Sequence, residues 1–138
     1  MTKSLPDEFR TASVVVVDDK EANVALLAKI LKSAGYENVI GFTDPREVAP
    51  HYENNRVDIV LLDIRMPHMD GFEVLDKVKE KPGHGDTPVI MLTAKDQSSD
   101  VLKGYQSGAT SYLVKPFNLD ELVETINQTL ERSKSKSE

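Results

Sequence analysis

Four consecutive valines, Val14 to Val17, are followed at once by two acids, Asp18 and Asp19. A run of β-branched residues with no polar alternation reads as a buried strand of a parallel sheet. The two adjoining carboxylates repel each other and gain nothing from a dry interior. Their position at a strand end calls for a compensating positive charge, and a hard divalent cation is the natural candidate.

The rest of the chain repeats this theme. Leu27, Ile30, Leu31 and Ala34 fall on one helix face, and Gly35 follows at the usual stop. Val39–Phe42 is a short second strand. Asp44-Pro45 is an N-cap with proline at the first helical position, so a second helix is predicted from there to Asn54, weakened by Pro50. Asp58–Asp63 is a third apolar strand, again ending in a carboxylate. A Pro/Gly loop over Met66–Gly71 precedes a third helix carrying Phe72, Leu75 and Val78. Pro88–Thr93 is a fourth strand, Gln97–Ser107 a fourth helix, and Ser111–Val114 a fifth strand. Leu119, Leu122, Val123, Ile126 and Leu130 form the stripe of a last helix capped by Asn118. Five strands alternating with five helices predict a parallel α/β sheet covered on both faces. Residues 1–12 read as a flexible polar arm, 13–132 as one domain, and 133–138 as a disordered low-complexity tail.

Composition narrows the function. The chain has 138 residues and no cysteine, so thiolate metal sites and disulfides are excluded. Its net charge is −6, with no block of Lys/Arg before Lys134 and Lys136, which disfavours direct nucleic-acid binding. No apolar stretch approaches the roughly 20 residues that span a bilayer. The start of the chain, Met1–Ser13, lacks the apolar core of a signal peptide, so a cytoplasmic location is expected.

In a sheet of this kind, ligands bind beyond the C-terminal ends of the strands. The residues expected there are Asp18 and Asp19, then Asp63, Thr93 and Lys115, the last followed by Pro116. Three carboxylates and one ammonium suit a Mg²⁺ ion and a phosphoryl group together. The metal takes oxygen ligands and neutralises phosphate charge, while the lysine offers a point charge to another phosphoryl oxygen.

These residues stand in four segments: VVVVDD at 14–19, LLDIRMPHMDG at 61–71, MLTA at 91–94 and GATSYLVKPF at 108–117. In that order and spacing the chain resembles the response-regulator receiver domain of two-component signalling, over about residues 13–131. The resemblance implies a flavodoxin-like sheet of strand order 2-1-3-4-5. It implies that Asp63 accepts a phosphoryl group from a sensor histidine kinase or a histidine phosphotransfer protein. It implies Mg²⁺ or Mn²⁺ held directly by Asp19, Asp63 and the backbone carbonyl of Arg65, with Asp18 acting through water. Thr93 is implied as the hydroxyl that moves toward the phosphoryl group, Lys115 as its ion-pair partner, and Tyr112 as the aromatic that turns inward with Thr93. The readout surface is implied to be the fourth helix, fifth strand and fifth helix. It would control a downstream protein or a fused output domain, with a homodimer through that face as one form.

Neighbouring residues have plainer readings. Gly71 is expected to serve loop geometry with φ > 0, and Asp70 to cap the third helix. His51, His68 and His84 show no metal-site spacing, though His68 falls near the site mouth. Arg65 and Lys95, each two positions after a site residue, are expected to rim the pocket and change the lifetime of the modification. A haloacid-dehalogenase-type phosphatase would carry an acid where Arg65 stands. A flavodoxin-like electron carrier needs a phosphate cradle where Asp18 and Asp19 would repel one. A pure interaction module would have no need of the full set of acids with Thr93 and Lys115.

Overall fold

The computed structural model describes residues 7–53, 55–64, 66–81, 87–94, 110–115 and 117–137. Five strands form one parallel sheet: β1 (Ser13–Val17), β2 (Asn38–Phe42), β3 (Ile59–Asp63), β4 (Val89–Ala94) and β5 (Ser111–Lys115). Their order is β2-β1-β3-β4-β5. The chain leaves β1 toward β2 on one side and then returns to β3 on the other. This reversal opens a crevice beyond the C-terminal ends of β1 and β3.

The valine run explains both halves of the core. Alternate strand residues point to opposite faces. Val14 and Val16 join Ile59, Leu61, Ile90, Leu92 and Leu113 on one face. There they meet Leu27 and Leu31 of α2 (Glu21–Ser33) and Leu122, Ile126 and Leu130 of α5 (Leu119–Ser137). Val15 and Val17 join Val60, Leu62, Val89 and Met91 on the other face. These pack against Val48 and Tyr52 of α3 (Val48–Tyr52) and Phe72, Val74, Leu75 and Val78 of α4 (Gly71–Lys79). A strand covered on both sides has no polar face to show, hence four valines in a row.

Helix ends follow the local chemistry of the chain. Gly35 has φ 113, the left-handed geometry predicted for the stop of α2, and Tyr36 N–H donates back to Leu31 O at 3.1 Å. The segment after Asp44 differs from the single helix expected. Asp44 accepts from Arg46 N, a 3-10 turn covers Pro45–Glu47, and only then does α3 begin. Pro50 supplies no N–H, which suits only the first turn of a helix and keeps this one short. Asp70 caps α4 in a reciprocal capping box with Glu73. Asn118 Oδ1 accepts from Glu121 N at 2.8 Å at the start of α5, as expected. The expected stripe of α5 is incomplete at its first member, since Leu119 remains 40% exposed.

Two expectations about the ends need correction. Residues 7–12 are not a loose arm. Asp7–Arg10 forms a single-turn helix, α1, that buries Phe9 to 5% and precedes Ala12 at 8%. Glu37 N–H donates to Arg10 O at 2.8 Å, and Asn38 Nδ2 donates to Thr11 O at 2.9 Å. One phenylalanine in a polar segment makes no periodic signal, so its burial was invisible in the sequence pattern. At the other end α5 continues to Ser137, through most of the expected tail. Lys134 and Lys136 there are good helix formers, and they extend a helix already nucleated on the core. The expected helix over 97–107 lies outside the described residues.

Replacing Phe9 by alanine should lower unfolding free energy by about 3 kcal/mol, the usual cost of truncating a buried phenylalanine. Urea denaturation of the full chain checks this. A loose arm would give a change near zero.

Candidate functional site at the strand ends

The end of β1 is shaped by Asp18. Its N–H donates to Phe42 O at 3.1 Å, which carries the β1–β2 pairing one residue further. Its carboxylate turns back to accept from Lys20 N at 2.9 Å. Lys20 is the N-cap residue of α2 and makes no side-chain cap of its own. The Asp18 side chain therefore supports the turn into that helix. Asn23 Nδ2, in the first turn of α2, donates to the other oxygen of Asp18 at 3.2 Å. Asp18 is 1% exposed, a buried carboxylate held by several donors.

Asp63 closes β3, opposite Leu92 in the register with β4. The following turn is tight. Gly71 N–H donates to Ile64 O at 2.8 Å, and a Cβ on Gly71 would stand 2.7 Å from Asp63 O and 2.9 Å from Ile64 Cα. Glycine is needed here for this close approach, not for the positive φ expected of it. The left-handed backbone in this loop belongs to His68, with φ 71. His68 is exposed, and His51 packs edge-on against Phe42 with ring centroids 5.2 Å apart.

Lys115 ends β5, beside Ala94. Its Nζ lies 3.5 Å from Asp63 Oδ1 and 3.8 Å from Asp18 Oδ2. Asp19 completes the group: one carboxylate oxygen from each of Asp18, Asp19 and Asp63 lies within 4.8 Å of the others. Thr93, near the end of β4, is 3% exposed. Tyr112 of β5 pairs with Met91 and packs, half-buried, against the α3–α4 side of the core with Phe42, Met66 and Met69. The structure thus brings Asp18, Asp19, Asp63 and Lys115 together, and sets Thr93 on the strand adjoining both β3 and β5. Arg65 and Lys95 lie outside the described residues, as does His84.

The electrostatics follow from this crowding. Burial pushes the Asp63 carboxyl above the usual carboxylate range. The Lys115 ammonium opposes that shift, while the Asp18 and Asp19 charges reinforce it. Among the described residues one ammonium faces three carboxylates, an excess of acids over cations in a half-dry crevice. The donor set fits a hard divalent cation, which takes carboxylate oxygens and water. Sequence reasoning missed Asn23, which carried no motif. Its only signal was a weak helix former placed in the first turn of a helix.

Known proteins agree with this architecture. The sequence profile of the response regulator receiver domain matches residues 14–127. A transcriptional regulatory protein of Bacillus subtilis, YvrH, is 35% identical over 91% of this chain and 52% of its own length. The response regulator PleD of Caulobacter vibrioides is 41% identical over 78% of this chain and 24% of its own length. The solved chemotaxis protein CheY4 of Vibrio cholerae superimposes with a TM-score of 0.81 at 34% identity, covering 86% of this chain and 98% of CheY4. The chain belongs to the response-regulator receiver domain family of two-component signal transduction, and its sheet has the CheY-like order expected. It spans about half or less of the length of the curated relatives it matches. Among the described residues, no helix is long and apolar enough to cross a membrane.

The upward shift of the Asp63 pKa has a definite consequence for stability. The folded state holds this proton more tightly than the unfolded chain, so ionising Asp63 costs folding free energy. Without divalent metal, its contribution should favour folding below the unfolded carboxylate range and weaken as pH rises through the folded one. Asp63→Asn should therefore raise the melting temperature at neutral pH in chelator, and the gain should shrink in acid. Thermal unfolding across pH, with both proteins side by side, checks this.

Proposed function

We propose that this receiver accepts a phosphoryl group on Asp63 and uses it as a switch. The observation that carries the reading is the convergence of three strand-end carboxylates with the Lys115 ammonium, 3.5 Å from Asp63 Oδ1. An Asp63 oxygen attacks the phosphorus of a phosphohistidine. The P–N bond breaks, its electron pair stays on the imidazole nitrogen, and a mixed acyl phosphate forms on Asp63. Attack by water on that acyl phosphate returns the carboxylate and inorganic phosphate. Asp19, Asp63 and the Arg65 carbonyl would hold Mg²⁺ or Mn²⁺ directly, and Asp18 through water. When bound, the ion supplies charge neutralisation for the entering phosphoryl oxygens.

The protein's own groups do the rest. Lys115 moves from the carboxylates to a phosphoryl oxygen, since the modification adds charge and acceptor oxygens beside it. Thr93 offers its hydroxyl to a second oxygen. Tyr112, on the strand beside it, follows into the space that Thr93 vacates. These movements shift a population between two existing packings. The face built on β5 and α5 reads the change; Val114 and Leu119 lie on those two elements, 43% and 40% exposed. The phosphoryl donor is a sensor histidine kinase or a histidine phosphotransfer protein in the cytoplasm. The receiver of the signal is a downstream protein, a fused output domain or a second copy of the chain.

With Mg²⁺ and acetyl phosphate, intact mass should show one phosphoryl group on the wild-type chain and none on Asp63→Asn. Equal labelling of both overturns the reading. Mg²⁺ alone should stabilise the wild type by about 2.7 kcal/mol at a free concentration 100-fold above its Kd. Asp19→Asn should lose most of that gain in urea titrations.

A further inference from the structure

Asp18 presents a problem that the phosphoryl-acceptor reading does not solve. It is 1% exposed, and among the described residues Lys115 is the cation that pairs with it, with Nζ 3.8 Å from Oδ2. If Lys115 turns to a phosphoryl oxygen, a buried carboxylate loses its charge partner, which is among the costliest arrangements in a protein. Among the described residues, two donors stay behind. Lys20 N–H holds Oδ1 at 2.9 Å, and Asn23 Nδ2 holds Oδ2 at 3.2 Å, the same oxygen that faces Lys115.

We propose that Asn23 is a positioning residue for phosphoryl transfer, a proposal that rests on the reading of Asp63 as the acceptor. Its side-chain amide fixes the rotation of the Asp18 carboxylate toward Asp19 and Asp63, and keeps Oδ2 bonded while Lys115 is away. The backbone reinforces this placement. Asn23 N–H donates to Lys20 O at 3.0 Å, so the residue is set by the first turn of α2 itself. Asparagine is a weak helix former there, inferior to alanine, and its amide is the group that meets Asp18. Only the NH₂ end of that amide can face a carboxylate, because a carboxylate accepts and never donates. With the amide gone, Asp18 is free to rotate onto Lys115, and both side chains leave the arrangement that serves the metal and the phosphoryl group.

The test uses Mg²⁺ alone on the full chain, followed by calorimetric titration. Asn23→Ala should weaken Mg²⁺ binding about tenfold, the usual size for losing a group that orients a ligand. It should also unfold at lower urea in chelator. Asn23→Asp should be less stable in chelator than Asn23→Ala, because it turns an acceptor and a charge toward Asp18. On a helix alone Asn23→Ala would instead be stabilising, since alanine has the higher propensity, and Asn23→Asp would be at least as stable as wild type, since an acid in the first turn is favourable. A wild-type Mg²⁺ affinity in Asn23→Ala, or an Asn23→Asp protein as stable as wild type, overturns the proposal. Acetyl phosphate labelling of Asp63→Asn is run beside it. Label retained there defeats the acceptor reading itself, whereas label lost with unchanged Asn23→Ala defeats only the role of Asn23.

Discussion

Repulsion among three carboxylates at one edge of a sheet is the constraint around which this molecule is arranged. Asp18, Asp19 and Asp63 would separate if the backbone allowed it. They are held because β1 and β3 are neighbours, with Val17 opposite Leu62 one step before the acids begin. The strands cannot yield, since each is packed on both faces by apolar side chains. The stored unfavourable charge is what makes the site receptive: it is relieved by a proton, by a divalent cation, or in part by the Lys115 ammonium.

The surrounding residues make sense as supports for this arrangement. Gly71 lets the start of α4 lie against the backbone of Asp63 and Ile64, where any side chain would push β3 away. Gly41 does the same on the far side of the sheet, where a Cβ would collide with Val24 of α2. Asp44 lies outside the cluster and shows the contrast. Partly exposed and hydrogen-bonded by Arg46, its carboxyl sits at about 2, below the usual range. Partnered acids in water and crowded acids in a crevice move in opposite directions for the same physical reasons.

Much of this was legible in the sequence because the relevant signals are local. Apolar runs, Asp70 and Asn118 as caps, and Gly35 as a stop each depend on a few neighbouring residues. The acids and lysine could be placed together because a parallel sheet puts all strand ends on one edge. What escaped was whatever depends on approach in three dimensions. The burial of Phe9 requires knowing that the end of α2 and the start of β2 leave a gap for it. The role of Gly71 required a distance rather than a dihedral preference. The contact of Asn23 with Asp18 arises only once the turn through Lys20 folds back. The extension of α5 to Ser137 reflects helix growth on an existing template, which composition alone read as a tail.

The length of α5 has a mechanical consequence. Its 19 residues make a rod about 28 Å long. The hydroxyls of Ser111 and Thr129 meet at 3.1 Å, and the Tyr36 hydroxyl bonds Asn127, so the rod is pinned to the sheet near its middle. One arm begins at Asn118, three residues past Lys115, and the other points away from the crevice. Leu122, Ile126 and Leu130 bury their side chains in the same core, so the rod is held along its first twelve residues rather than at one point. The helix is thus a rigid extension of the sheet, and its far end keeps the direction that the core gives it.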